Sequence, residues 1–136
     1  MITISKIIKF FIPVRPVPAS RPRISRFGSY YSKGYTEFRK DAYKFLKTIR
    51  DKYPPVGGVG FRIDCEVVCR KPKRPSNKYP RGDNDNYEKG IYDAITYAGM
   101  VWEDDIQIVE NYTHKRYQEQ GEEYGIYVTI KQVNIN

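Results

Sequence analysis

The sequence predicts an α+β fold: a mixed, mainly antiparallel sheet in the order β-α-β-α-β-β, with two helices on one face. Four stretches rich in β-branched and aromatic residues supply the strands. Two stretches with apolar residues at helical spacing, each closed by a proline or glycine stop, supply the helices. No repeat and no long linker divides the 136 residues, so residues 1–136 form a single domain, long enough for a core of its own.

Ile2 to Ile12 is the first strand, with Ile8, Phe10 and Ile12 on one face. Pro13, Pro16 and Pro18 end it, and Ala19-Ser20-Arg21-Pro22-Arg23 continues as an extended arm because proline disfavours helix before it. Arg15, Arg21, Arg23 and Arg26 make the arm basic, and Phe27, Tyr30 and Tyr31 add rings suited to base stacking. Thr36 can cap a helix running to about Lys52, with Phe38, Ala42, Phe45, Leu46, Ile49 and Tyr53 on its core face. Pro54-Pro55 stops it.

The alternation Val59, Phe61, Ile63, Cys65, Val67, Cys69 marks a strand with one buried face, which favours an antiparallel or edge-exposed place in the sheet. Cys65 and Cys69 lie roughly 13 Å apart on such a strand, beyond disulfide reach, so both are expected as buried thiols. From Arg70 to Arg81 there are six cations and no acid, with Pro72, Pro75 and Pro80 forbidding a helix. The second helix starts near Asp85 or Asn86 and ends at Ala98, with Tyr87, Ile91, Ala94, Ile95 and Ala98 inward and Gly99 as its stop. Ile106 to Tyr117 and Tyr124 to Lys131 are the last strands, joined by a polar hairpin loop, Gln118 to Glu123.

A net charge of +8 favours a polyanionic partner. With 40% hydrophobic and 15% aromatic residues the chain is not of disordered type. No segment has the length and apolarity of a membrane span or the form of a signal peptide, so no membrane association and a cytoplasmic location are expected. His114 is the one histidine, which excludes a histidine-rich metal site.

Chemistry concentrates where the basic run meets Asp83-Asn84-Asp85. Carboxylates set into a positive surface make sense if a divalent cation neutralises them and a phosphate backbone is the substrate. Mg²⁺ prefers oxygen ligands and keeps waters, so Asp83, Asp85 and one of Asp104 or Asp105 could hold it. Such an ion activates water and neutralises charge on a phosphodiester, while Lys89, one turn into the helix, could place the phosphate. The helix carries the chain roughly 20 Å from Asp85. The acidic clusters therefore meet in one subunit only if the segment after Gly99 folds back; otherwise a second chain completes the site. Asp83 or Asp85 is equally a natural helix N-cap. A calcium loop is excluded, because Glu88 and Ala94 stand where glycine and glutamate are required.

The run Asp83-Asn84-Asp85-Asn86-Tyr87-Glu88-Lys89, then Asp93-Ala94, then Ala98-Gly99-Met100-Val101-Trp102-Glu103-Asp104-Asp105-Ile106-Gln107 resembles the core motif of the RusA family of Holliday junction resolvases. Pro18-Ala19-Ser20-Arg21-Pro22-Arg23 is similar to the family's N-terminal arm. The resemblance implies a Mg²⁺-dependent homodimeric endodeoxyribonuclease, with Mn²⁺ as a substitute ion, that makes paired symmetric nicks across a four-way DNA junction in recombination and repair. It assigns catalysis and metal binding to Asp83, Asp85 and Asp105, assistance to Lys89, and leaves Asp104 as an additional acid. Asn84 is polar where the family commonly has an apolar residue, and Gly90 weakens the helix beside Lys89. Phages and prophages often carry such proteins, which makes that origin the expectation. DNA contacts are expected from Arg15, Arg21, Arg23, Arg26, Lys71, Lys73, Arg74, Lys78 and Arg81. The alternatives are a nuclease for other branched DNA, such as flaps or forks, and a non-catalytic DNA-binding accessory protein.

Overall fold

The computed structural model describes residues 2–135 and holds a four-stranded mixed sheet with two helices on one face. The strands of the main sheet are β1 (Ile2–Ile12), β4 (Gly60–Cys69), β5 (Ile108–Tyr117) and β6 (Gly125–Ile135), in the order β1-β6-β4-β5. A short separate hairpin, β2 (Arg23–Ser25) with β3 (Gly28–Tyr30), lies inside the basic arm, where only an extended conformation was expected. The helices are α1 (Lys33–Ile49) and α2 (Asn84–Ala98), each accompanied by a single 3-10 turn, Arg50–Lys52 after α1 and Asp105–Gln107 before β5.

The register explains the core. Ile8 lies opposite Ile130 and Ile130 opposite Ile63; Ile12 lies opposite Ile126 and Ile126 opposite Val67. These side chains share one face because residues alternate across a strand. All are buried, together with Phe61 and Cys65. Helices cover that face with Phe38, Ala42 and Leu46 from α1 and Tyr87, Ile91, Ala94, Ile95 and Ala98 from α2, the whole stripe expected of α2. The opposite face is open and carries the ion pairs Arg62–Asp64, Arg62–Glu110 and Arg116–Glu66. Both cysteines are buried free thiols, and burial pushes both above the ordinary thiol value, Cys65 strongly so.

Three details depart from the sequence expectation. Ser32, and not Thr36, caps α1: its Oγ accepts from the Tyr35 backbone N–H at 3.4 Å. The earlier start adds Tyr35 to the core stripe, one turn before Phe38 and two before Ala42. Gln118–Glu123 is not a hairpin loop, since β5 and β6 do not pair; the segment crosses the end of β4 and delivers the chain to its other side. β4 is interior to the sheet, antiparallel to β6 and parallel to β5. Its alternation arises because helices cover only one face, and β4-α2-β5 is a crossover unit joining parallel neighbours.

Candidate active site

The entrance to α2 is held by the arm and by β5. Gly82 passes so close to the arm that a β-carbon there would lie 2.8 Å from the Tyr87 ring and 2.9 Å from Pro18. The Lys115 ammonium on β5 donates to the Gly82 carbonyl at 2.6 Å, and the Asn84 amide donates to the Thr113 carbonyl at 3.0 Å. From the arm, the Ala19 N–H donates to the Asn86 carbonyl at 2.9 Å. One turn on, Glu88 accepts from Thr113 at 2.6 Å and from Asn111 at 3.1 Å, and Asn111 also donates to the Tyr92 hydroxyl at 3.1 Å. The first half of α2, from Asn84 to Tyr92, is thereby bolted to β5.

What those bolts leave free is the acidic edge of the helix. Asp83 occupies the N-cap position, and its carbonyl accepts the first helical bonds, but its carboxylate makes no capping bond. Asp85 and Lys89 are exposed, and no side-chain hydrogen bond or ion pair engages Asp83, Asp85, Lys89 or Asp93 among the described residues. Four other acids, Asp64, Glu66, Glu110 and Glu122, are by contrast matched to arginine.

The second acidic cluster is returned toward α2 by a buried segment. Gly99 ends the helix in the left-handed conformation at φ 71°. Met100, Val101 and Trp102 then go into the core, with Val101 itself at φ 68°, a rare and costly conformation for a β-branched residue. It is held there by the Val101 N–H donating to the Tyr53 carbonyl at 2.8 Å and by the Trp102 indole donating to Thr96 at 2.8 Å. Asp104 then caps the 3-10 turn, accepting from the Ile106 N–H at 3.0 Å. Gln107 locks the turn by donating to the carbonyls of Val56 and Val59 at 2.9 and 3.0 Å. Asp105 is half-buried; burial raises its carboxyl above the ordinary value, the neighbouring Asp104 and then Asp93 push the same way, and Lys89 opposes them. The 3-10 turn that carries Asp105 packs against α2.

The two basic segments converge beside Gly82. Arg15 from the arm and Arg70, Lys71, Lys73 and Arg81 from the loop line one cleft of about 630 Å³ that contains no acid. Lys78 lines a separate hollow of about 1110 Å³ with Lys71 and Arg116. Arg21, Arg23, Arg26 and Arg74 are exposed and line neither.

The family model described as Endodeoxyribonuclease RusA matches residues 13–131. The chain belongs to the RusA family of endodeoxyribonucleases. The match covers the arm, both helices, the basic loop and the whole β4-α2-β5 unit. Comparison with curated proteins gives no match. Membership makes this chain an endodeoxyribonuclease of the Holliday-junction-resolving kind that acts on branched DNA, and resolvase nucleases of this kind are divalent-metal dependent.

In this RusA-family chain the donor set suits a hard divalent ion, since carboxylate oxygen is the ligand such ions prefer. Among the described residues no three acids, thiols or imidazoles gather closely enough to hold one as they stand. Asp83 and Asp85 stand at the start of α2, and Asp105 on the 3-10 turn before β5. The fit thus rests on donor type and on carboxylates left free. Lys115, Glu88, Asn111 and Thr113 position the site without any motif to reveal them. Asn111, Thr113 and Lys115 alternate with Glu110, Tyr112, His114 and Arg116, so both faces of β5 are mostly polar and the strand's inward side leaves no hydrophobic signal. No helix among the described residues is long and apolar enough to cross a membrane.

Proposed function

We propose that the chain is a Mg²⁺-dependent junction-resolving endonuclease, with Mn²⁺ as a substitute, that acts as a homodimer and makes paired symmetric nicks. The observation that carries this is the uncapped, unpaired state of Asp83 and Asp85 beside an acid-free basic cleft. Aspartates serving only as caps would spend their carboxylates on backbone N–H groups. Asp83, Asp85 and Asp105 are the ligands, and Lys89 neutralises charge on the phosphate. Asp104, already engaged as a cap, is a positioning residue. The ion supplies charge neutralisation and an acidified water when bound. The protein's own part is to hold the DNA backbone through Arg15, Lys71, Lys73 and Arg81 and to present the strand to the acidic edge of α2.

Two equivalent nicks across a near-two-fold junction call for two equivalent sites, and a closed two-fold dimer supplies them. Sizing at micromolar concentration, with and without DNA, should show a species of twice the 16.0 kDa chain; a monomer under both conditions would refute the dimer.

The decisive experiment uses a labelled four-way junction with the parent protein and with Asp83→Asn, Asp85→Asn, Asp104→Asn and Asp105→Asn. Cleavage in Mg²⁺ should stop with chelator and fall by orders of magnitude in the Asp83, Asp85 and Asp105 variants. Junction affinity in Ca²⁺ should hold or rise, because a negative charge near phosphate has gone. Asp104→Asn should be milder. Parental cutting by Asp83→Asn and Asp85→Asn would end the carboxylate mechanism, and equal cutting of flaps and forks would favour the broader branched-DNA nuclease.

A further inference from the structure

Where α1 and α2 pack side by side, their outer surface opens into a groove of about 350 Å³. Its lining includes the rings of Tyr31, Tyr43 and Tyr97, the cations Arg39 and Lys40, and a single acid, Asp93. Tyr43 and Tyr97 meet edge to face with centroids 4.9 Å apart. Arg39 stacks over Tyr31 at 4.9 Å, and Lys47 lies 5.7 Å from the Tyr43 ring. Tyr97 is 70% exposed although it stands on a helix whose other face makes the core.

Folding accounts for only part of this cluster: Tyr43 is half-buried and packs against the core, whereas Tyr31 and Tyr97 are exposed. The tyrosines that serve the core, Tyr35 and Tyr87, are buried, and Tyr92 is half-buried with its hydroxyl bonded to Asn111. Exposed rings flanked by cations present flat π-surfaces in a positive field, which suits an aromatic group carried on a polyanion. The volume falls within the range of small-ligand pockets. Its position matters as well. Asp93, which lines the groove, stands one turn beyond Lys89 on the same face of α2, so the groove adjoins the acidic edge of the helix.

We propose that this groove is a base-binding pocket that takes one unstacked DNA base beside the scissile phosphate, against Tyr43 and Tyr97. Arg39 and Lys40 neutralise the phosphates of that nucleotide. The proposal rests on the nuclease reading above and adds to it a place for the base. Unstacking a base costs least where stacking is already interrupted, as at the branch point of a junction. The pocket would thus help register the cut relative to the branch without any contact to the scissile phosphate itself.

The test is photocrosslinking in Ca²⁺, with 5-iododeoxyuridine moved stepwise through the nucleotides flanking the branch point and the crosslinked peptide identified by mass spectrometry. One position should crosslink to Tyr97, Tyr43 or Tyr31. Tyr97→Ala should abolish that crosslink and weaken junction binding roughly tenfold, the scale of one lost base stack, with an unchanged melting temperature because the ring is exposed. Tyr97→Phe should retain the crosslink. Crosslinks confined to residues outside the groove, or parental affinity in Tyr97→Ala, would overturn the proposal. A change of oligomeric state in Tyr97→Ala with parental DNA affinity would assign the groove to a second copy of the chain instead. The two readings fail separately: loss of the nuclease reading appears as no Mg²⁺-dependent nicks, and loss of the pocket as nicking without a crosslink in the groove.

Discussion

Gly82 shows how one small residue places the acids. A methyl at this position would meet both Tyr87 and Pro18 at less than 3.0 Å, and neither is a flexible chain end. Gly82→Ala should therefore cost about 1–3 kcal/mol in urea unfolding, the usual scale for overpacking. Cleavage should fall more than stability accounts for, since Asp83 is the next residue. Asp105 gives a second prediction at this scale. Its charge is disfavoured by burial and by Asp104, so a bound cation should relieve that cost. Millimolar Mg²⁺ or Mn²⁺ should raise the melting temperature of the parent and do less for Asp105→Asn; equal shifts in both would argue against Asp105 as a ligand. The acidic clusters stand out in the sequence because their spacing is local. That Asp104 spends its carboxylate as the cap of the 3-10 turn was not legible, since it depends on the backbone geometry after Trp102.

Helix α2 carries a glycine in its interior beside Lys89, and the structure shows what surrounds it. A β-carbon on Gly90 would sit 3.5 Å from Tyr35, 3.6 Å from Phe38 and 3.9 Å from the Ala19 nitrogen, all ordinary contact distances. Gly90→Ala should thus stabilise the fold by about 0.5–1 kcal/mol, the helix-propensity difference. A loss in thermal or urea unfolding would mean that the arm or α1 needs closer approach than the static packing indicates. The crossover from β5 to β6 depends on Arg116, whose guanidinium bonds Glu122 at 2.6 and 2.7 Å. Those bonds, then the Glu119 backbone N–H, hold the Glu122 carboxyl down at about 2 against an ordinary 4.5. A lowered folded-state value stabilises above the unfolded value and is lost as pH falls through the folded one. That contribution should therefore fade from about pH 4.5 toward 2, and Glu122→Gln should remove this part of the acid dependence measured by melting. Helical and β4 periodicities were legible because one face of each is apolar. The place of β5 was hidden because its inward residues bond polar groups of α2 and bury little apolar surface.

For the whole molecule, the convergence of arm and loop makes binding a matter of electrostatics. Lys73 and Arg81 line the cleft while Arg74 lies outside it. Neutralising either Lys73 or Arg81 should flatten the slope of log affinity against log salt by about one unit, and Arg74→Gln should do less. Equal slopes for all three would mean that the cleft is not where phosphates sit. The pairing of β1 with β6 sets Ile2 opposite Ile135, so the first and last described residues are neighbours across an antiparallel pair. Residues facing each other in such a pair have Cα atoms only about 5 Å apart. A short glycine-serine tether could then join the ends into a hairpin turn, with the chain reopened at exposed Gly121. In that circular permutant the most distant strand pairing of the native chain becomes the most local, while β4, α2 and β5 stay contiguous. Low contact order speeds folding, so stopped-flow refolding should be faster than in the parent while metal-dependent cleavage survives.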